Sequence, residues 1–139
     1  MPQQCLQVHH HTEPAAKLSS GACTVLNCNF ISSDFDVFQM MCTMYQKCKL
    51  IHADLSEYNM LWHDNKVWFI DVSQSVEPMH PHALEFLYRD CTNVVEFFTK
   101  CRVPDVLAAH ELFNKVSQLD IAPNTDLDFL SQVCEIFVL

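Results

Sequence analysis

Residues 51–71 read Ile51-His52-Ala53-Asp54-Leu55-Ser56-Glu57-Tyr58-Asn59-Met60-Leu61-Trp62-His63-Asp64-Asn65-Lys66-Val67-Trp68-Phe69-Ile70-Asp71. Two short apolar runs, Met60-Leu61-Trp62 and Val67-Trp68-Phe69-Ile70, flank His63-Asp64-Asn65-Lys66. That turn composition suits positive φ, so the stretch is predicted to fold as a β-hairpin. Centring the turn near Asn65 puts Asn59 opposite Asp71, with α-carbons about 4.5–5.5 Å apart. An amide oxygen and a carboxylate would then stand side by side at the open end of the hairpin. Both are hard oxygen ligands of the kind Mg²⁺ prefers, and Mg²⁺ needs few from the protein because it keeps waters and takes substrate phosphates. Asp54 lies five residues before Asn59 on the same loop, placed to accept a proton from an attacking hydroxyl. A base, two metal ligands and a hairpin that fixes them suit phosphoryl transfer, in which positioning and charge neutralisation carry most of the catalysis.

Outward from the hairpin the pattern is helical. Before it, Phe38, Met41, Cys42, Tyr45 and Cys48 recur at three- and four-residue spacing, which predicts an amphipathic helix over about 35–48 with Ser32-Ser33-Asp34 ahead of it as capping residues. Met40, Met41 and Met44 read as core rather than as a metal box. After the hairpin, His80-Pro81-His82 marks a loop whose histidines fix it by hydrogen bonds, with Pro81 suited to a first helical turn. Leu84, Leu87, Cys91, Val94, Val95 and Phe98 then form a helical stripe to about residue 100, broken at Arg102-Val103-Pro104. Arg89-Asp90 within it reads as a structural ion pair or helix-packing pair. Val106, Ala109, Leu112, Phe113 and Val116 predict a helix over about 105–118, and Leu127, Leu130, Cys134 and Phe137 a last one. Residues 1–34 are polar and without period, so they read as an irregular tail, with 23–31 as its one candidate strand.

Composition bounds the chemistry. The chain has 139 residues, half of them hydrophobic, enough for one core and too few for two ordinary domains. Its single glycine, Gly21, rules out a G-x-G-x-x-G or Walker loop within these residues. A formal charge of −9 opposes charge-driven nucleic-acid binding, and Trp62 and Trp68 read as hairpin packing rather than base-stacking platforms. Eight cysteines occur without a Cys-x-x-Cys pair, and no secretory signal or membrane-length apolar run is visible. The cysteines therefore read as reduced, the expected location as cytoplasmic, and membrane attachment is not expected. His9-His10-His11 reads as solvated tail.

Residues 51–63 closely resemble the catalytic loop of RIO-type atypical protein kinases, and His52-x-Asp54-Leu55-x-x-x-Asn59 reproduces the H-x-D-L-x-x-x-N spacing of kinases. Ile70-Asp71-Val72-Ser73-Gln74-Ser75-Val76-Glu77 resembles the family's metal-binding segment, and residues 80–91 the helix that follows. Tyr58, Trp62 and Trp68 point to the third RIO subfamily over the first. The Asp-Val-Ser-Gln-Ser run sets the second aside. The resemblance extends over about residues 36–137.

What the resemblance implies is specific. Asp54 would be the proton acceptor, and Asn59 and Asp71 would hold Mg²⁺ against ATP phosphates. Asp71 would also be able to accept phosphate as an aspartyl-phosphate. Family members phosphorylate protein substrates or hydrolyse ATP and serve maturation of the small ribosomal subunit, so a protein substrate or a pre-ribosomal particle is the expected partner, without sequence-specific nucleic-acid contact. Ala53 stands where ordinary kinases carry an arginine that reads a phosphorylated activation loop, so that regulation is not expected. A RIO kinase also requires an N-terminal lobe with a phosphate-covering loop and a strand lysine. Residues 1–34 do not resemble it, and no strand pattern marks Lys17, the only lysine there, for that role. The expected fold is thus α+β: a mainly helical C-terminal lobe of a protein-kinase-like fold over 35–139, with a catalytic-loop β-hairpin and no N-lobe. Its activity alone is expected to be weak or nil. The alternative is a non-catalytic lobe that binds a partner.

Overall fold

The apolar stripes read from the sequence converge on one core in the computed structural model, which describes residues 16–17, 30–64, 66–122, 129, 131–133 and 135. The order is β1 (Ala16–Lys17), α1 (Phe30–Gln46), β2 (Met60–His63), β3 (Lys66–Phe69), α2 (Ala83–Lys100) and α3 (Ala109–Ser117). Short 3-10 turns at Glu57–Asn59 and Val72–Gln74 flank the hairpin. Helices with a small sheet make this an α+β fold, as expected.

The hairpin forms where predicted, but its register differs by one residue. Met60 pairs with Phe69, Leu61 with Trp68, Trp62 with Val67 and His63 with Lys66. The last pair therefore closes the strands at His63 and Lys66. Asp64 supplies a positive φ of 52°, the conformation that tight hairpin turns demand and that aspartate tolerates. Asn65 itself lies outside the described residues. The tighter turn puts Asn59 opposite Ile70, whose N–H donates to the Asn59 carbonyl at 3.0 Å. The expected pairing of Asn59 with Asp71 is thereby corrected.

β1 adds to the hairpin edge, with Ala16 opposite Trp62 and Lys17 opposite Leu61. Lys17, read as tail, therefore stands on a strand, next to the β2–β3 hairpin. α1 starts at Phe30, before the expected boundary at 34/35, because Ser32-Ser33-Asp34 continue the helix instead of capping it. Residues 30 and 31 of the candidate strand are thus helical, and 23–29 lie outside the described residues, as does the 9–11 histidine run. α2 begins at Ala83, two residues beyond Pro81, with His82 at its N-cap. Positive φ at Arg102 and Asp105 delays α3 until Ala109. Leu127, Leu130, Cys134 and Phe137 of the expected last helix lie outside the described residues, while Phe129, Gln132 and Val133 have helical backbone.

Val37 and Met41 of α1, Leu84, Leu87, Cys91, Val94 and Phe98 of α2, and Leu112, Phe113 and Val116 of α3 are buried together. Full burial of such side chains contributes about 1.5–3 kcal/mol each. Rings fix the helix angles: Phe38 meets Phe98 edge-on at 6.1 Å, and Phe113 meets Phe129 edge-on at 5.4 Å. The Gln46 amide donates to the carbonyls of Lys115 and Val116, tying the end of α1 to the end of α3. Trp62 packs half-buried on the core, and the Trp68 indole N–H donates to the His63 carbonyl at 3.2 Å, so both tryptophans pack the hairpin. No helix among the described residues is long and apolar enough to cross a membrane.

Candidate active site

A two-way backbone bridge between Ile51 and Val76, at 2.8 and 3.0 Å, closes the base of the segment 52–75. Everything the sequence marked as chemical lies inside that closure. Burial along the loop that enters it is interrupted at one position: His52, Ala53 and Leu55 are buried, and Asp54 is exposed. Its neighbours anchor the backbone while the Asp54 carboxylate faces solvent.

The anchors come from α2. The Asp90 carboxylate accepts the N–H of Ala53 at 2.8 Å with one oxygen and that of Leu55 at 2.9 Å with the other. The Arg89 guanidinium donates to the Ala53 carbonyl and lies 5.1 Å over the Phe86 ring. The Asn93 amide donates to the Leu55 carbonyl at 3.0 Å. These bonds hold Ala53 at φ 66°, a left-handed conformation that costs a non-glycine residue about 1–2 kcal/mol. Arg89 and Asp90 are therefore not paired with one another as their adjacency suggested. They grip the two sides of one peptide segment. Burial raises the Asp90 carboxyl to a pKa of about 6, against the opposing pull of the Leu55 and Ala53 N–H groups, His52 and Arg89.

Asp54 and Asn59 are brought together. The Asn59 side-chain NH₂ donates to the Asp54 carbonyl at 2.8 Å and approaches its carboxylate at 3.4 Å. This leaves the Asn59 amide oxygen free of those bonds. Asp71 is not brought to them by the cross-strand pairing expected. It follows Ile70, whose N–H is held by Asn59 and whose carbonyl accepts from His52 Nε2 at 2.8 Å. At Asp71 the chain leaves the strand in the left-handed conformation, φ 56° and ψ 62°, and enters the Val72–Gln74 turn. The Ser73 hydroxyl donates to one carboxylate oxygen of Asp71 at 2.7 Å. Asp71 and Asp54 are exposed and Asn59 is half-buried, so none of the three is sealed in the core.

The sequence reading passed over Asp90 and Asn93 as site residues and left His52 without a role. A signal for Asp90 was present: it falls between Leu87 and Val94 on the buried stripe of α2. A carboxylate on that face requires donors to match. In the loop before α2, the His82 N–H donates to His80 Nδ1 at 3.1 Å, the histidine-fixed turn expected there.

A buried helix carboxylate gripping a loop that carries an exposed aspartate, an asparagine five positions on, and a second aspartate beyond a hairpin match the residue spacing of a kinase-type loop. The family model described as the RIO domain matches residues 10–112, and the chain belongs to this family of serine/threonine-protein kinases. It is 49% identical over 126 residues to serine/threonine-protein kinase RIO3 of Mus musculus and 50% identical over 127 residues to that of Homo sapiens, in each case 91% of this chain and 24% of the relative. Similarity to serine/threonine-protein kinase RIO1 of Homo sapiens is 51% over 100 residues, 72% of this chain and 17% of the relative. The chain is RIO3-like and spans about a quarter of the length of the RIO3 relatives it matches. The family match begins at residue 10, inside the segment read as tail.

Proposed function

We propose that this chain carries the catalytic-loop half of a RIO-type serine/threonine kinase or ATPase. Asp54 accepts the proton of the attacking hydroxyl. Asn59 and Asp71 hold Mg²⁺ against the phosphates of ATP. The single observation that carries the reading is the Asn59 amide bonded to Asp54 on a loop whose neighbouring backbone is fixed by Asp90.

The donor set fits the metal. Asn59 spends its NH₂ on Asp54 and so presents its oxygen. Ser73 occupies one Asp71 oxygen and leaves the other. An amide and a carboxylate oxygen are the hard ligands Mg²⁺ selects. When bound, the ion would neutralise charge on the phosphates. Ser73 orients the Asp71 carboxylate, and Asn59 holds Asp54 beside the hydroxyl that is to lose its proton. In a second role, an Asp71 carboxylate oxygen attacks the γ-phosphorus of ATP, forming an acyl-phosphate and releasing ADP. The physiological targets are a protein substrate or a pre-ribosomal particle in small-subunit maturation, in the cytoplasm.

A specific observation favours a second reading for these residues taken alone. One glycine in 139 residues cannot build a glycine-rich loop over the phosphates, so the 139 residues by themselves turn over ATP weakly or not at all and act as a partner-binding lobe. Mg²⁺-dependent ATP binding and hydrolysis by the purified chain separate the two. Turnover that falls to background in Asp54→Asn and Asp71→Asn supports the catalytic reading, since a general base contributes about 10²–10⁴-fold. Turnover indifferent to both substitutions ends it, and no MgATP binding at all favours the partner-binding lobe.

A further inference from the structure

Hydrogen bonds hold the peptide groups around Asp54 one by one. The His52–Ala53 peptide is held at its carbonyl by the Ser75 hydroxyl, at 3.4 Å, and at its N–H by Asp90. The Asp54–Leu55 peptide is held at its carbonyl by the Asn59 amide and at its N–H by Asp90. The Ala53–Asp54 peptide between them differs. The Arg89 guanidinium donates to its carbonyl, and among the described residues no hydrogen bond reaches its N–H. A single contact therefore stands against rotation of this peptide, through ψ of Ala53 and φ of Asp54, between two neighbours that are each clamped at both groups.

Arg89 is suited to that contact. Its side chain is exposed, but the guanidinium lies 5.1 Å over the Phe86 ring, and a planar cation on an aromatic face is oriented before it bonds. Among the described residues no carboxylate forms an ion pair with it. The Cβ of Asp54 is placed by its own N, Cα and C atoms, so displacing the nitrogen of the Ala53–Asp54 peptide tilts the side chain. We propose that Arg89 is a positioning residue for Asp54: by holding the Ala53 carbonyl it fixes the Ala53–Asp54 peptide, and with it the direction in which the carboxylate meets the hydroxyl of the substrate. The inference rests on the reading of Asp54 as the proton acceptor, a role that requires the base within hydrogen-bond reach of the proton it takes.

The test uses the whole 139-residue protein labelled with ¹⁵N, beside Arg89→Met and Arg89→Lys. In the unaltered protein the Asp54 N–H is expected to be as ordered as those of Ala53 and Leu55, with order parameters of about 0.85. In Arg89→Met the residual dipolar coupling of the Asp54 N–H should change while those of Ala53 and Leu55, held by Asp90, stay. Arg89→Lys, which keeps a donor and a charge, should restore part of it. An Asp54 coupling untouched by Arg89→Met overturns the proposal, as does a change spread evenly over the three amides, which marks general loosening. Should Arg89→Met fail to fold, the unaltered protein decides: an Asp54 N–H less ordered than its two neighbours overturns the proposal. Turnover of MgATP in the same samples ties the geometry to the chemistry. Arg89→Met should lower kcat by up to about 10²-fold with KM for MgATP retained, and Arg89→Lys should recover part of the loss. A kcat unchanged in Arg89→Met while Asp54→Asn abolishes turnover overturns the proposal. Turnover indifferent to Asp54→Asn overturns the role of Asp54 instead, and the dipolar couplings then decide by themselves whether Arg89 sets this peptide.

Discussion

Asp90 holds Asp54 without touching it: its two carboxylate oxygens accept the N–H groups of Ala53 and Leu55, the residues on either side. The relationship fixes the peptide planes that flank an exposed acidic side chain while leaving that side chain free to meet a substrate. It crosses 37 and 35 positions of sequence, so it exists only once α2 has packed under the loop. The geometry of the site is therefore a consequence of the core. Substitutions that loosen α2 are expected to disturb Asp54 before they touch it.

Asp90→Leu is expected to be far more damaging than a surface change, because it strands two buried amide N–H groups at about 1–3 kcal/mol each. Asp90→Asn retains one acceptor and should lose about half of that. The acid also titrates unusually high, at about 6 against an ordinary 3.8. The folded state then binds its proton more tightly than the unfolded chain. This group's stabilising contribution is accordingly full below about pH 4 and is lost as pH rises to about 6, a change of about 3 kcal/mol. Denaturation curves should show the stability gap between the unaltered protein and Asp90→Asn narrowing over that window. A gap that widens with pH, or a carboxyl titration of Asp90 by NMR near 4, contradicts the assignment.

Much of this was legible beforehand. The three-and-four spacing of Leu84, Leu87, Cys91, Val94 and Phe98 marks the buried face of α2 directly, because a helix can bury only one stripe. The hairpin was legible from its turn chemistry. Its register was not, since a two-residue and a three-residue turn can be written over the same four residues and differ by one position. That one position moved Asp71 off the partner of Asn59. Its place is set instead by a left-handed backbone step, which local sequence patterns do not encode for an aspartate. The grip of Arg89 and Asn93 on the loop was illegible for another reason: long-range pairing to backbone groups leaves no periodic signal, and only the buried-stripe position of Asp90 hinted at it.

Asp71→Asn tests that left-handed step against the chemistry. Asparagine tolerates positive φ as well as aspartate does and can still accept from Ser73, so thermal stability without ligand should stay within about 0.5 kcal/mol of the starting protein. Asp71→Val, β-branched at φ 56°, is expected to lose about 2 kcal/mol. If the carboxylate holds Mg²⁺, any rise in Tm on adding MgATP disappears in Asp71→Asn. An undiminished rise would remove Asp71 from the metal site.

Ala53 is tightly constrained. Its backbone sits at φ 66° and its side chain is buried. Ala53→Gly relieves the left-handed backbone at the cost of a buried methyl and a looser unfolded chain, terms of about 1 kcal/mol each that nearly cancel. Ala53→Val meets both obstacles and should destabilise by about 2 kcal/mol or more. Urea denaturation of the pair reads the difference, and equal midpoints for Val and Ala would show that the loop does not hold this conformation in solution.

Arg89 reaches the same residue from the carbonyl side while lying over Phe86. If the ring positions the guanidinium for the Ala53 carbonyl, the two contacts are coupled. Arg89→Ala is expected to cost about 1–2 kcal/mol, less than a buried charged hydrogen bond because the side chain is exposed. Phe86→Ala should lose apolar packing together with part of the guanidinium's order. The double variant should then be less damaging than the two single changes added, by about 0.5 kcal/mol or more. Strict additivity in the denaturation free energies would mean that Arg89 finds the Ala53 carbonyl unaided, and that the ring beneath it contributes packing alone.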